Sequence, residues 1–409
     1  MLTATGANTP GASDFNGAVN YLLDNLQENA TPATAKTARI FLGVQVQCTQ
    51  CRNHPLYEAK QNQLWELNAF FRQAQAVAST ENGANITRLV DNDFAGEGNT
   101  PREAEIYYEL RNGLLKTAYP VFLTGEQISP SGLVSDVNRR RELASLVTDS
   151  SLFRKAIVNR LWAHFLGFGF TRPVDDMGPH NAPSHPELLE QLASAFGQSG
   201  HDYKRLLKWI TLSEAYGLSS RTTHETADEP ELGGVALFSR FYSRQMRPEE
   251  LYESLLVATH ASPEKAVGMA ALNQASYSER ERDKNRWLQQ FAISLDTDEN
   301  DEASTYDGTI SQTLVMWNGD MIRKATSGDR GTFLNEIAQA AQGQGAASAN
   351  SPNPNVVQDL FVAALGRNPS KAEVNQAREL WRRRNGNAEA ALQDIWWALL
   401  NSNEFILNH

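Results

Sequence analysis

The run Cys48-Thr49-Gln50-Cys51-Arg52-Asn53-His54-Pro55 holds both cysteines of the chain and a histidine three residues after the second cysteine. Thiolates and imidazoles at this spacing suit haem attachment, dithiol chemistry or metal binding. Covalent haem attachment needs a histidine directly after the second cysteine, where it becomes an axial iron ligand. Arg52 takes that position here, so we expect no covalent haem.

The same segment keeps other interpretations open. Cys48 and Cys51 are spaced for a dithiol–disulfide switch, in which the cationic Arg52 would favour a thiolate. Cys48, Cys51 and His54 would also supply three ligands of a zinc site, with the fourth from a distant residue. The structural alternative is a pair of half-buried cysteines that pack a helix end, either bridged by a disulfide or free.

A second polar stretch, residues 172–185, gathers two carboxylates and two imidazoles: Asp175, Asp176, His180 and His185. Such groups could bind a divalent metal or share acid–base work, with His185 expected to face the cleft. The favoured alternative is a structural latch, in which Arg160 or Arg172 pairs with the carboxylates. A latch is favoured because an unpaired buried carboxylate is strongly destabilising.

Helices are predicted to position both stretches. Apolar spacing predicts helices over residues 34–47, 63–78 and 151–166, and Thr31-Pro32 is typical of a helix start. Ser184 and Glu187 have the spacing of a capping box that would open the helix after the polar stretch. Strands are predicted over 86–90, 106–110 and 114–123, with Asn112-Gly113 as a tight hairpin turn.

Further caps extend the helical pattern through the rest of the chain. Asp136 and Asp202 are expected to cap helices, Ser370 and Glu373 form a second capping box, and Asn387 precedes a helix over 388–400. The predicted fold is therefore mainly α and multi-helical, with a small antiparallel β element near residues 84-123. Linkers are expected at 222–235 and 343–355, and an acidic run at 296–307 is expected to be solvated.

Composition excludes several classes of protein. The net charge of −11 argues against nucleic-acid binding, which usually leaves a basic footprint. The runs Arg139-Arg140-Arg141 and Arg382-Arg383-Arg384 are expected to be solvated or ion-paired. No apolar run has the length of a transmembrane segment, and no signal peptide is visible. Phosphate-binding loops, dinucleotide fingerprints and the common hydrolase motifs are missing from the sequence, so no common enzyme class is indicated.

A resemblance begins at the cysteines. Together with the segments Phe41-Leu42-Gly43-Val44 and Leu67-Asn68-Ala69-Phe70-Phe71, they resemble the end of the planctomycete cytochrome-like domain of unknown function. That family usually carries Cys-x-x-Cys-His-x-His-Pro, and this chain departs from the pattern at Arg52.

The segments Arg141-Glu142-Leu143-Ala144, Asn159-Arg160-Leu161-Trp162 and Pro183-Ser184-His185-Pro186 then resemble, in order, the planctomycete-specific helical domain of unknown function. The resemblance and the pattern of elements together predict three regions: residues 1–78 as the tail of the cytochrome-like domain, 79–135 as a small β-containing bridge, and 136–409 as the helical domain, with a further boundary near 222–235. The family resemblance also implies an exported or cell-envelope protein, of which this chain would be a fragment or a shortened relative.

We therefore expect a bacterial envelope or surface protein, a helical binding or scaffold module with a degenerate cofactor motif. Its partner would be a protein or a surface component. One alternative is a redox or metal-binding protein that uses Cys48, Cys51 and His54. Another is a metal-dependent enzyme, whose catalytic or metal-ligating residues would be Asp175, Asp176, His180 and His185.

Overall fold

The computed structural model describes residues 1–54, 59–81, 83–221, 228–260, 281–282, 284–286, 310–329, 332–343, 354–385 and 387–408. The chain divides into two compact units, Met1–Tyr242 and Ser243–His409. Helices dominate, and the sheets are small and antiparallel, which confirms the predicted fold class. No helix in these ranges is long and apolar enough to cross a membrane. The boundaries predicted at residues 78 and 135 fall within the first unit and stay predictions.

The first unit is built around α5, whose predicted bounds are confirmed. Ser150 caps it by accepting a hydrogen bond from the Phe153 amide at 3.1 Å, and Asp202 caps α7 in the same way, as predicted. The helices of this unit are α1 (Asn20–Leu23), α2 (Gln27–Leu42), α3 (Gln61–Asn68), α4 (Arg139–Asp149), α5 (Ser151–Leu166), α6 (Pro186–Gln198) and α7 (Tyr203–Thr211).

Helix α2 is regular only from Thr31 onward, because residues 28–30 all have positive φ. The predicted start at Thr31-Pro32 is thus confirmed. The predicted extension to residue 47 is wrong, because α2 ends at Leu42 and Gly43 adopts the left-handed conformation with φ of 65°. Glycine adopts this conformation without a Cβ clash, and the chain turns there toward the cysteines.

Two small sheets lie in the first unit. Strands β1 (Gly6–Ala7), β2 (Ala74–Glu81) and β3 (Ala84–Asp91) pair in the order β1-β3-β2, and β4 (Ile106–Glu109) pairs with β5 (Leu115–Ala118). Strands β3 and β4 confirm the strands predicted over 86–90 and 106–110, and Gly113 has a φ of 80° in the predicted turn. The strand predicted over 114–123 is too long, because β5 ends at Ala118, shortly before Pro120, which has no amide hydrogen for a strand pairing. The helix predicted to reach residue 78 is wrong at its end, because pairing with β3 overrides the local periodicity of β2.

The first arginine run departs from its prediction. Arg139 and Arg140 are fully buried. Arg139 donates to four backbone carbonyls, those of Ala69, Ala104, Pro130 and Ser131, at 2.7–3.1 Å. Burial and nearby Arg72 lower the pKa of Arg139 to about 10. Arg140 does form an ion pair, with Asp91 at 2.6 Å.

The start of α4 also differs from the prediction. Asn138 caps this helix by accepting a hydrogen bond from the Arg141 amide at 3.0 Å. The predicted cap, Asp136, instead accepts from the Ser131 hydroxyl at 2.8 Å. The helix therefore begins two residues later than the carboxylate suggested.

The second unit contains its own buried cluster around Trp396 and Tyr252. The capping box of Ser370 and Glu373 and the cap of Asn387 are confirmed. Its elements are β6 (Arg244–Gln245), α8 (Pro248–Thr259), α9 (Ile310–Asn318), α10 (Asp320–Ala325), α11 (Phe333–Gly343), α12 (Pro354–Leu365), α13 (Lys371–Arg383), α14 (Ala388–Leu400), α15 (Asn403–Ile406) and β7 (Leu407–Asn408). The acidic run at 296–307, residues 222–227 of the first predicted linker and 344–353 of the second lie outside the described residues.

Candidate functional site

The cysteine segment leaves α2 through Gly43 and lies at the surface. A short 3-10 turn, Gln47–Thr49, buries Thr49 and leaves Cys48 exposed. Cys51 is also exposed, and both thiols are free. The structural alternative, in which the two cysteines are half-buried and pack a helix end, is therefore wrong, and they form no disulfide.

The start of α3 holds this segment in place. The side chains of Gln61 and Trp65 both donate to the Gln50 carbonyl at 3.1 Å. The backbone amide of Gln61 in turn donates to the side-chain oxygen of Asn53 at 3.0 Å. These contacts fix the backbone between the two cysteines without using either thiol.

The polar loop, residues 172–185, is held by Asn159, which is fully buried on α5. Its side-chain amide donates to the Thr171 hydroxyl at 2.8 Å and to the Val174 carbonyl at 2.9 Å. Its oxygen accepts from the Phe170 amide at 2.6 Å. The sequence places Asn159 on the same helix as Arg160, but it does not reveal this function. An asparagine among apolar residues of a helix is the signal that could have found it, because buried amides need partners.

Asp175 forms the predicted latch, but with a different arginine. Its carboxylate is 1% exposed, forms an ion pair with Arg39 of α2, and accepts from Gln45 at 3.3 Å. Arg39 lies 136 residues before its partner in the chain. A separation of this length carries no local sequence signal, so neither Arg39 nor Gln45 was among the predicted site residues.

The two predicted latch arginines have other surroundings. The Arg172 guanidinium lies 5.3 Å from the centre of the Phe168 ring and donates to the Pro230 carbonyl. The Arg160 Nε atom is buried and has no hydrogen-bond partner among the described residues. The prediction that these arginines pair with the loop carboxylates is therefore wrong.

The two polar stretches meet at a pair of histidines. Asp176 contacts His180 Nε2 at 2.9 Å, and the His180 ring stacks against His54, with centroids 6.4 Å apart and an interplanar angle of 26°. A backbone hydrogen bond of 2.8 Å from the Met177 amide to the Gly43 carbonyl joins the polar loop to the end of α2, just before the cysteine segment. Residues that are distant in sequence thus form one surface. The sequence alone predicts two separate candidate sites.

Burial lowers the pKa of His54. The neighbouring His180 ring and Arg52 act in the same direction, while the Asp176 carboxylate opposes them. The neutral imidazole is therefore favoured at His54. A neutral imidazole has an unprotonated ring nitrogen that can accept a proton or bind a metal.

His185 has a different set of neighbours. Its ring contacts Phe238 and Phe170, with centroids 5.5 and 6.3 Å away, and its Nδ1 lies 3.0 Å from the Ser184 hydroxyl. Helix α6 begins at Pro186 with His185 at the N-cap and no side-chain cap. The predicted capping box of Ser184 and Glu187 is therefore wrong, because proline at the first helical position moves the cap one residue later.

Ligand chemistry at this surface is limited by what converges there. Among the described residues, no group of three or more His, Cys, Asp or Glu side chains is arranged to hold a metal ion. The metal sites predicted from Cys48, Cys51 and His54, and from the polar loop, stay predictions. Covalent haem does not fit, because Arg52 stands where the haem motif has its axial histidine, and a guanidinium cannot ligate iron.

Comparison with known proteins identifies two families along the chain. Residues 2–76 match PSCyt2, a protein of unknown function (DUF1549), and residues 139–381 match PSD1, a protein of unknown function (DUF1553). The order of the two matches confirms the resemblance described from the motifs. No curated protein and no solved structure matches the chain. Because the second match spans more than half of the sequence, the chain belongs to the PSD1 family of proteins of unknown function.

Proposed function

We propose that this protein is a non-catalytic binding or scaffold module of the cell envelope or cell surface. The observation that carries the proposal is the engagement of Asp175, a buried carboxylate held by Arg39 and Gln45. A carboxylate buried in such a pair points inward and is engaged by its cation, which suits a latch and not a general acid or base.

The second carboxylate supports the same interpretation. Asp176 contacts His180 at 2.9 Å, and its backbone carbonyl accepts from Asn181 at 2.8 Å. With Asn159 holding the start of the loop, the polar groups fix the loop against α2 and α5. A loop fixed in this way presents a constant surface, as recognition by a rigid scaffold requires.

The partner we propose is a protein or a component of the cell surface. The net charge of −11 disfavours nucleic acid. The assignment to the envelope follows from the family resemblance alone.

Metal and haem analysis of the purified full chain tests the non-catalytic proposal. We expect neither covalent haem nor stoichiometric zinc, copper or iron, and no change in metal content in Cys48→Ser. The matched control is Gln50→Ser, because Gln50 is exposed between the two cysteines and its backbone carbonyl keeps the contacts to α3. A stoichiometric metal that is lost in Cys48→Ser and retained in Gln50→Ser would contradict the proposal.

A second candidate function is a dithiol–disulfide switch, favoured by the free, exposed state of Cys48 and Cys51. Oxidation would form one sulfur–sulfur bond and release two protons and two electrons. A disulfide such as oxidised glutathione would accept the electrons and become two thiols.

Equilibration in glutathione buffers, followed by alkylation and mass spectrometry, tests this candidate. A switch predicts an intramolecular Cys48–Cys51 disulfide that titrates at one defined potential. Mixed disulfides with glutathione on each cysteine, without an intramolecular bond, would reject it.

A further inference from the structure

Strand β2 is an open sheet edge. It lies at one end of the sheet order β1-β3-β2, and no strand of the described chain pairs with its other side. Residues 75–78 and Thr80 are exposed, and Val77 keeps 40% of its surface accessible. An exposed strand of eight residues with an open side is a template for pairing with another strand.

The register identifies which backbone groups face the open side. The Asn92 amide donates to the Gln73 carbonyl at 2.9 Å, so the pair just before β2 is a hydrogen-bonded one. Hydrogen-bonded and non-hydrogen-bonded pairs alternate in antiparallel strands. In the observed register, Gln75, Val77 and Ser79 therefore bond to β3. The residues between them direct their N–H and C=O groups outward: Ala74, Ala76, Ala78 and Thr80.

This edge lacks the features that usually protect one. Natural edge strands carry lysine, proline, a bulge or an inward charge that prevents pairing between molecules. Residues 74–80 contain neither a charged residue nor a proline. The charged residues of β2 and β3 nearest to this segment are engaged: Glu81 forms an ion pair with Arg88, and Asp91 forms one with Arg140.

We propose that β2 pairs antiparallel with β2 of a second copy of this chain, across a twofold axis at Val77. In this register Ala76 lies opposite Ala78 of the partner subunit, so outward-facing backbone groups meet outward-facing ones. The pairing can form up to about eight backbone hydrogen bonds. No charge within 74–80 meets a like charge, and twofold dimers are the most common closed assembly.

Site-specific cross-linking tests both the pairing and its register. The experiment uses the full chain with Cys48→Ser and Cys51→Ser, because both native thiols are exposed. Val77→Cys places a thiol opposite its own copy in a non-hydrogen-bonded pair, where Cβ atoms come close enough for a disulfide. Gln75→Cys, on the same face and also exposed, would lie opposite Ser79 of the partner subunit.

We expect covalent dimers from Val77→Cys and few from Gln75→Cys after mild oxidation with glutathione disulfide. Equal cross-linking of the two variants, or none in either, would overturn the proposal. Sedimentation velocity of the unsubstituted chain should show a weak, concentration-dependent dimer.

A proline variant keeps the test independent of cysteine chemistry. Ala78→Pro removes an amide that faces outward, so it deletes no hydrogen bond to β3. We expect this variant to sediment as a monomer while its melting temperature changes little. A dimer that persists in Ala78→Pro, or a wild-type chain that stays monomeric at every concentration, would overturn the proposal.

Discussion

The two polar stretches that meet at the histidine pair differ in how their groups are used. Asp175 is 1% exposed and is held by Arg39 and Gln45, whereas Cys48 and Cys51 are exposed and free. A buried charge requires a partner for the chain to fold, and an exposed thiol does not. Folding therefore constrains the polar loop around Asp175. The cysteine segment is free to change or to serve another purpose.

The largest expected effect comes from removing the cation of the latch. Arg39→Met should lower the free energy of unfolding by about 3–5 kcal/mol, because the Asp175 carboxylate stays buried. Arg172→Met is the matched control, since Arg172 contacts a ring and a carbonyl and has no carboxylate partner among the described residues. Denaturant titration measures both. Equal losses of unfolding free energy in the two variants would mean that the Arg39–Asp175 pair stabilises the fold no more than Arg172 does, which would contradict the latch.

Asn159 should give the next largest effect. Asn159→Ala leaves the Phe170 amide and the Val174 carbonyl without their partner, which should cost about 2–3 kcal/mol. Asn181→Ala is the control, because Asn181 contacts two loop carbonyls from a partly exposed position, and it should cost less than about 1 kcal/mol. Thermal melts of the two variants should therefore separate, and coincident melts would mean that Asn159 does not anchor the loop.

A smaller effect depends on pH. The pKa of His54 is lowered in the folded chain, so the unfolded chain binds the proton more readily. Stability from this residue is present above its ordinary pKa of 6.5 and is lost as the pH falls from there toward the folded value. Denaturant titrations at a series of pH values should show that His54→Gln loses less stability than the wild type between about pH 7 and 5.5. A steeper loss of stability in His54→Gln than in the wild type would contradict the lowered pKa of His54.

The smallest effect is expected at the cysteines. Replacing both by serine should change the free energy of unfolding by less than about 0.5 kcal/mol, as for other exposed positions without structural contacts. Denaturant titration of the double variant under reducing conditions checks this. A loss above about 1.5 kcal/mol would mean that the thiols support the fold, and the contrast between the two stretches would fail.

Local signals in the sequence predict much of the fold. Helix α5, the caps Asp202 and Asn387, and the box of Ser370 and Glu373 follow from residues within a few positions of one another. These features are recognisable because caps and apolar periodicity act over one or two helical turns.

What the sequence could not predict depends on contacts between distant segments. The two arginine runs look alike, yet Arg139 and Arg140 are fully buried while Arg382, Arg383 and Arg384 stay at least half exposed. Arg139 is buried because four carbonyls from three separate segments surround it. The partner of Asp175 was missed for the same reason, since proximity in the chain favoured Arg160 and Arg172 over Arg39.

A double-mutant cycle between Arg39 and Asp175 tests the central claim most directly. The free energy of unfolding is measured for the wild type, Arg39→Met, Asp175→Ala and the double variant. A latch predicts a coupling energy above about 1.5 kcal/mol, with the double variant more stable than the sum of the single losses implies. Additive losses, within about 0.5 kcal/mol, would mean that the two side chains do not stabilise each other and would contradict the latch.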